Sequence, residues 1–331
     1  MFLDSMKNLV RGTGERIVYP EGLEERAIRA ADLLHQQSFA TPILLGNASK
    51  IESKAKSLGI DLSGIEMVDP ATSSDLDDFS KTYFDLRKHK GITTEQAASK
   101  IKLSHYYGAM MVRKGKADGM VSGLNSETKP FLPAFEIIQL KEGFRKASSL
   151  FVLEWPERLL FFADCSVNID PDAATLADIA HATAHTVKSF GYEPRVAFLS
   201  FSTRDSAKSP LVDKIKEATR LAKELCPGTV MDGEVQFDAA LLPEVALKKA
   251  PDSPFVDLGA NVFIFPNLDC GNIAYKITER LGRAIATGPI LQGLNHPIND
   301  VSRGCSFEDF ANVGILTAAL ANMQKETIAG S

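Results

Sequence analysis

Short runs rich in β-branched and aromatic residues alternate with amphipathic helical stretches along this 331-residue chain, and no other feature restricts its fold so strongly. Arg16–Tyr19 reads as a strand, and a helix follows over about Leu23–Gln37, with Ala27, Ala30, Ala31 and Leu34 at helical spacing. Pro42–Leu45 and Ile65–Val68 are further strands, and two or three helices cover about Asp75–Lys114. Ala117–Gly123 is a strand that runs into a glycine turn. Leu150–Leu153 and Leu159–Phe162 form a hairpin around Trp155-Pro156-Glu157-Arg158. Helices are then expected at Ala173–Phe190, Pro210–Leu225, Asp238–Lys248, Gly271–Leu281 and Phe307–Met323. Between them lie strands at Arg195–Ser200, Thr229–Met231, Asn261–Phe265 and Ala286–Leu291. Such alternation implies mainly parallel sheets with helices on both faces. Ligands then gather at the carboxyl ends of the strands, so the loops after strands carry the chemistry.

Length favours two domains. The polar, basic stretch Gln139–Ser149 is the candidate crossing between them. A formal charge of -5 argues against broad nucleic-acid binding, which needs a basic face, but leaves room for a local basic pocket. The start, Met1-Phe2-Leu3-Asp4-Ser5-Met6-Lys7, has no signal-peptide core, and no apolar run approaches the ~20 residues that span a bilayer. The expectation is a cytoplasmic protein without membrane or nucleic-acid partners. Cys165, Cys226, Cys270 and Cys305 form no CxxC pattern and are expected as reduced thiols. His181 and His185 stand four apart on a helix without an HExxH signature, so no metal is expected. GxGxxG, GxxxxGK[ST] and GxSxG are all missing.

Three loops stand out. Ser200–Ser209 combines hydroxyls, including Ser202, with Lys208 and a following helix N-terminus, which suits an anion such as phosphate. Its plainer reading is a helix cap, Ser209 before Pro210 at N1. Pro266–Asn272 is a glycine-bearing strand-to-helix turn. Gly288–Ser306 is dense in Gly, Pro, Asn and Ser, and a loop of that length in a compact domain is functional or disordered. Within it, Val301–Ser306 reads as an anion-handling turn. Arg303 beside Gly304 presents a rigid fork to phosphate, and Ser306 with Asp309 at N3 resembles a capping box.

These stretches together resemble the phosphate acetyltransferase (phosphotransacetylase) family, nearly end to end. The matching segments are Tyr19–Gly22 with Glu25-Arg26, Ala117–Gly123, Phe162–Cys165 with Asn168 and Pro171–Ala173, and Ser200–Ser209. They continue through Asp232–Ala240, Asn261–Pro266, Gly271–Ile273 and Gly288–Gly304. The resemblance implies two α/β/α domains of the isocitrate/isopropylmalate dehydrogenase kind, with the active site in a cleft between them. Residues 1–140 plus 295–331 would form the first domain, the C-terminal segment returning to it, and 141–294 the second. It implies a homodimer and the reaction acetyl-CoA + phosphate = CoA + acetyl phosphate, with coenzyme A as substrate and no tightly bound cofactor. A catalytically weak acyl-CoA-binding protein, or a propionyl or butyryl enzyme, is the alternative.

The resemblance also gives residues roles. Asp309 matches the base that takes the CoA thiol proton, Arg303 the arginine that binds the transferred phosphate, and Ser302 an adjacent hydrogen-bond donor. Arg87 and Arg280 match arginines for the active site or the CoA phosphates, and Cys305 is a neighbour without a covalent role. One segment departs from the family. Where relatives read His-Ser-Thr and later Arg-Pro, this chain has Asn125-Ser126-Glu127 and Leu132-Pro133. A carboxylate gained and a guanidinium lost should weaken anion binding there, with Ser126 retained and Lys129 offering a point charge. Asp205 stands where relatives have glycine.

Overall fold

The structure, a computed structural model, describes residues 1–125 and 133–329. The chain divides into two compact units, Met1–Lys141 with Leu294–Ser331, and Glu142–Gly293.

The first unit is built on strands β1 (Arg16–Tyr19), β2 (Thr41–Leu45), β3 (Glu66–Val68) and β4 (Gly119–Ser122), joined late in the chain by β11 (Ile298–Asp300). Their order is β11-β4-β1-β2-β3, and every pairing is parallel. The chain moves outward from β1 to β3, then crosses back to place β4 on the other side of β1. The β1/β4 boundary is therefore where the winding direction reverses, the position at which such sheets open a crevice at their carboxyl ends.

Helices α1 (Phe2–Val10), α2 (Glu25–Gln36), α3 (Ala48–Ser57), α4 (Leu76–Arg87), α5 (Thr94–Ile101), α6 (Ser104–Arg113) and the last helix, α12 (Phe307–Ala329), complete the unit. Alternation along β1 sends Val18 to one face and Ile17 and Tyr19 to the other, all fully buried. On the Val18 face α6 comes so close that a Cβ at Gly108 would overlap Val18 and Met120. On the opposite face a Cβ at Gly314 of α12 would overlap the Tyr19 hydroxyl, and Phe310 sets its ring edge-on to Tyr19 at 5.2 Å. Each such buried large side chain contributes about 1.5–3 kcal/mol.

The second unit carries a sheet ordered β10-β5-β6-β9-β7-β8. Strands β5 (Ser148–Trp155) and β6 (Arg158–Ala163) form the expected hairpin, and β10 (Ile285–Gln292) pairs antiparallel with β5. The remaining pairs, among β6, β9 (Val262–Ile264), β7 (Arg195–Leu199) and β8 (Val230–Val235), are parallel. Helices α7 (Ala173–Ser189) and α8 (Pro210–Leu225) pack against each other and the sheet. Phe162, Phe263, Phe265, Ala239 and Tyr275 share one core cluster with residues of α9 (Phe237–Leu241), α10 (Pro243–Lys249) and α11 (Leu268–Arg280).

Several expectations shift. The single helix over Asp238–Lys248 is two, because Pro243 has no N–H to continue the first and fits N1 of the second. Helices α1 and α3 were not foreseen. Neither was β11, three residues inside the long loop, whose pairing to β4 is set by tertiary contact rather than local propensity. The first residues of that loop belong to β10.

Candidate functional site

The turn at the carboxyl end of β4 directs three successive main-chain N–H groups at one acceptor. Gly123 (2.9 Å), Leu124 (2.9 Å) and Asn125 (2.6 Å) all donate to the carboxylate of Glu21, which follows β1. Gly123 sits at a φ of 110°, and a Cβ there would collide with the Asp300 carboxyl, so only glycine allows this approach. Three convergent N–H groups form an anion-binding concavity. Here the anion is the protein's own.

The turn after β11 carries Ser302, Arg303 and Gly304, all exposed. It ends in the expected capping box. The Asp309 N–H donates to Ser306 Oγ (3.1 Å), and the Ser306 N–H donates to Asp309 Oδ2 (3.0 Å). Arg26, in the first turn of α2, ties this loop down. Its Nη1 donates to the carbonyls of Arg303 (2.7 Å) and Cys305 (3.1 Å), and its Nη2 to the carbonyl of Leu124 (3.4 Å). Glu24 braces the guanidinium through Nε at 2.9 Å. Ser302, Arg303 and Cys305 thus share one turn and Asp309 follows in the first turn of α12, with Arg303 and Asp309 open to solvent. Burial, more than the adjoining Asp309, pushes the Cys305 thiol up to about 11 against the opposing pull of Arg26, so at neutral pH it is protonated and a poor nucleophile.

Asp300 lies beneath this turn. One of its carboxyl oxygens is buried with no partner among the described residues. Burial and the nearby Glu21 charge raise its pKa to about 8, against a smaller opposing effect of Arg303. Between about pH 4 and pH 8 the folded protein therefore holds a proton that the unfolded chain releases, and stability falls as pH rises through that window. Asp300→Asn removes the effect. Wild type should lose stability relative to Asp300→Asn by up to about 1.4 kcal/mol per pH unit over that range. Parallel melting curves at about pH 5 and pH 8 would show instead that Asp300 is ionised throughout.

The other sequence candidates lie elsewhere. Arg87, at the end of α4, pairs with Glu136 at 3.2 Å, and Lys100 and the Tyr83 hydroxyl converge on the same carboxylate. Ser202 is fully buried, and its hydroxyl is engaged with Glu234 (3.2 Å) and Ser206 (3.3 Å). The Asp205 N–H donates to Glu234 as well, at 2.7 Å. The serine-rich loop, read from its composition as a phosphate cradle, therefore already encloses a carboxylate of its own. Ser209 caps α8 as expected, Lys208 is exposed, and Asp205 pairs with Lys216. Arg280 ends α11 with its side chain 77% exposed. Ser126, Lys129, Glu127 and Leu132 lie outside the described residues. His181 stacks on Phe144 at 4.9 Å, with His185 edge-on to the same ring. Among the described residues no three His, Cys, Asp or Glu side chains are grouped to hold a metal ion, and no helix is long and apolar enough to cross a membrane. All four cysteines are free thiols. Glu21, Arg26, Asp300 and Glu234 received no role from the sequence. They had been marked only as members of family-matching segments, Tyr19–Gly22 with Glu25-Arg26, Gly288–Gly304 and Asp232–Ala240.

A family model described as phosphate acetyl/butaryl transferase matches residues 1–318. A phosphate acetyltransferase from Bacillus subtilis is 47% identical over 318 residues, 96% of this chain and 98% of its own length. A solved phosphotransacetylase from Staphylococcus aureus superposes with a TM-score of 0.90 at 44% identity, covering 97% of this chain and 98% of that one. A solved phosphotransacetylase from Streptococcus pyogenes gives 0.91 at 43% identity, with the same coverage. With the model spanning nearly the whole chain and these relatives matching end to end, the chain belongs to the phosphate acetyl/butaryl transferase family.

Proposed function

We propose that this protein catalyses acetyl-CoA + phosphate = CoA + acetyl phosphate, with its reacting groups in the turn after β11. The observation that carries the reading is the braced, solvent-facing turn of Ser302 and Arg303, joined through the Ser306–Asp309 capping box to the exposed carboxylate of Asp309 at the start of α12. In the direction of acetyl-CoA synthesis, Asp309 takes the thiol proton. A free thiol with a pKa near ~8.5 is mostly protonated at neutral pH, so a positioned carboxylate helps form the nucleophile. The sulfur attacks the acetyl carbonyl, and phosphate leaves from the tetrahedral intermediate. Arg303 holds the phosphate and offsets charge as it builds up, and the Ser302 hydroxyl donates a hydrogen bond. Arg87 and Arg280 are assigned to the CoA phosphates, with Ser126, Lys129 and Lys208 as further substrate-binding groups, whereas Ser202, fully buried and bonded to Glu234, is withdrawn from that role. Coenzyme A enters as a substrate, and the assignment requires no bound cofactor.

CoA-dependent arsenolysis of acetyl, propionyl and butyryl phosphates tests the reading. Turnover greatest with acetyl is expected, since relatives 47% and 46% identical are named for that group. Calorimetric binding of acetyl-CoA with no turnover of any of the three would make the chain an acyl-CoA-binding protein instead. We further assign a cytoplasmic homodimer. In support of the dimer, Ile273, Ile277 and Leu281 stand four residues apart along α11 and its C-cap, with exposures of 55%, 53% and 80%. Light scattering should return twice the 36.0 kDa of one chain.

A further inference from the structure

The segment between β1 and the first turn of α2 reaches both halves of the site with groups of opposite kind. Glu21 supplies a carboxylate that accepts all three N–H groups of the Gly123–Asn125 turn. Five residues on, Arg26 supplies a guanidinium that donates to carbonyls in that turn and in the Arg303 loop. The Arg303 carbonyl belongs to the residue whose side chain is to hold phosphate. Fixing that peptide limits where its guanidinium can swing. Both side chains are largely enclosed, with 8% of Glu21 and 24% of Arg26 exposed, so little water competes for these bonds. Glu21 also faces His105, 3.9 Å away, whose pKa is lowered by burial against the pull of that carboxylate. A pocket of about 560 Å³, lined by Glu21, Glu24, Glu25, Lys54, Ser104 and Asn125 among others, opens onto this segment.

We propose that Glu21 and Arg26 are positioning residues for acyl transfer, holding the β4 turn and the Arg303 loop in one fixed geometry without touching substrate. The inference rests on the acyltransferase reading above. A group of this kind changes kcat by misplacing the reacting groups and leaves ground-state binding nearly intact. The Glu21 carboxylate, which accepts three main-chain N–H groups and lines the adjoining pocket, can also be replaced by a small carboxylate, and the Arg26 guanidinium, held by three carbonyls and by Glu24, by a small guanidinium.

The test uses Glu21→Ala and Arg26→Ala, with Glu21→Gln and Arg26→Lys as milder variants should the alanine forms fail to fold. Folding is checked by circular dichroism. We expect kcat in arsenolysis of acetyl phosphate to fall about 10- to 100-fold, with KM for CoA within about threefold of wild type. Added formate should restore activity to Glu21→Ala and not to Arg26→Ala, and added guanidinium should do the reverse. The inference is overturned if the folded Gln and Lys variants keep wild-type kcat. It is equally overturned if KM rises while kcat holds, which would mark substrate contacts, or if neither folded alanine variant responds to its matching small molecule. An inactive wild type overturns the acyltransferase reading itself, and this inference with it. An active wild type beside undiminished variants overturns the inference alone.

Discussion

Arg303→Ala is expected to lower kcat for CoA-dependent arsenolysis about 100- to 1,000-fold, the range seen when one donor to a developing charge is removed. The side chain is exposed, while its main chain is pinned by Arg26 at 2.7 Å. Truncation beyond Cβ leaves that main-chain bond in place, so the turn should persist and the thermal midpoint should stay near that of wild type. Arg303→Lys is expected to recover only part of the loss, because an ammonium is a point charge without the paired donors of a guanidinium. Full activity in Arg303→Ala would move phosphate binding away from this turn.

Asp309→Asn should be comparably severe, at about 100- to 10,000-fold in kcat. The substitution separates two functions that one carboxylate performs. As a cap, Asp309 accepts the Ser306 N–H through Oδ2, and an amide oxygen can do the same. As a base it must take a proton, which an amide does not do. We therefore expect a protein that melts close to wild type and turns over very slowly. Asp309→Ala would also lose the reciprocal half of the capping box, while Ser306 Oγ would still accept the main-chain N–H of residue 309. Asp309→Asn with wild-type kcat would reduce this residue to a helix cap.

Much of the fold was legible because its signals are local. Ser209 before Pro210, Ser306 with Asp309, and the Trp155–Arg158 turn each specify a cap or hairpin within a few residues, and the structure contains all three. What the sequence concealed depends on partners brought from far away. Glu21 meets Gly123 across 102 residues and Arg26 meets Arg303 across 277, so nothing around either marks it as a strut. Three-residue β11 lacks enough alternation to read as a strand and exists through its pairing with β4. The serine-rich loop shows how composition can mislead. Its donors do gather round a negative charge, but Glu234 comes from a strand roughly thirty residues further on.

Because β11 and α12 close the first unit, the order of synthesis runs against the order of completion. The second unit, Glu142–Gly293, is continuous, and all of it has left the ribosome before the first unit receives its final strand. Until then the β4 edge lacks its β11 partner, and Ile17 and Tyr19 wait beneath a face that α12 has yet to cover. A chain released at Gly293 should therefore carry a folded later half behind an unfinished earlier one, with the unpaired β4 edge as the region a chaperone would meet first.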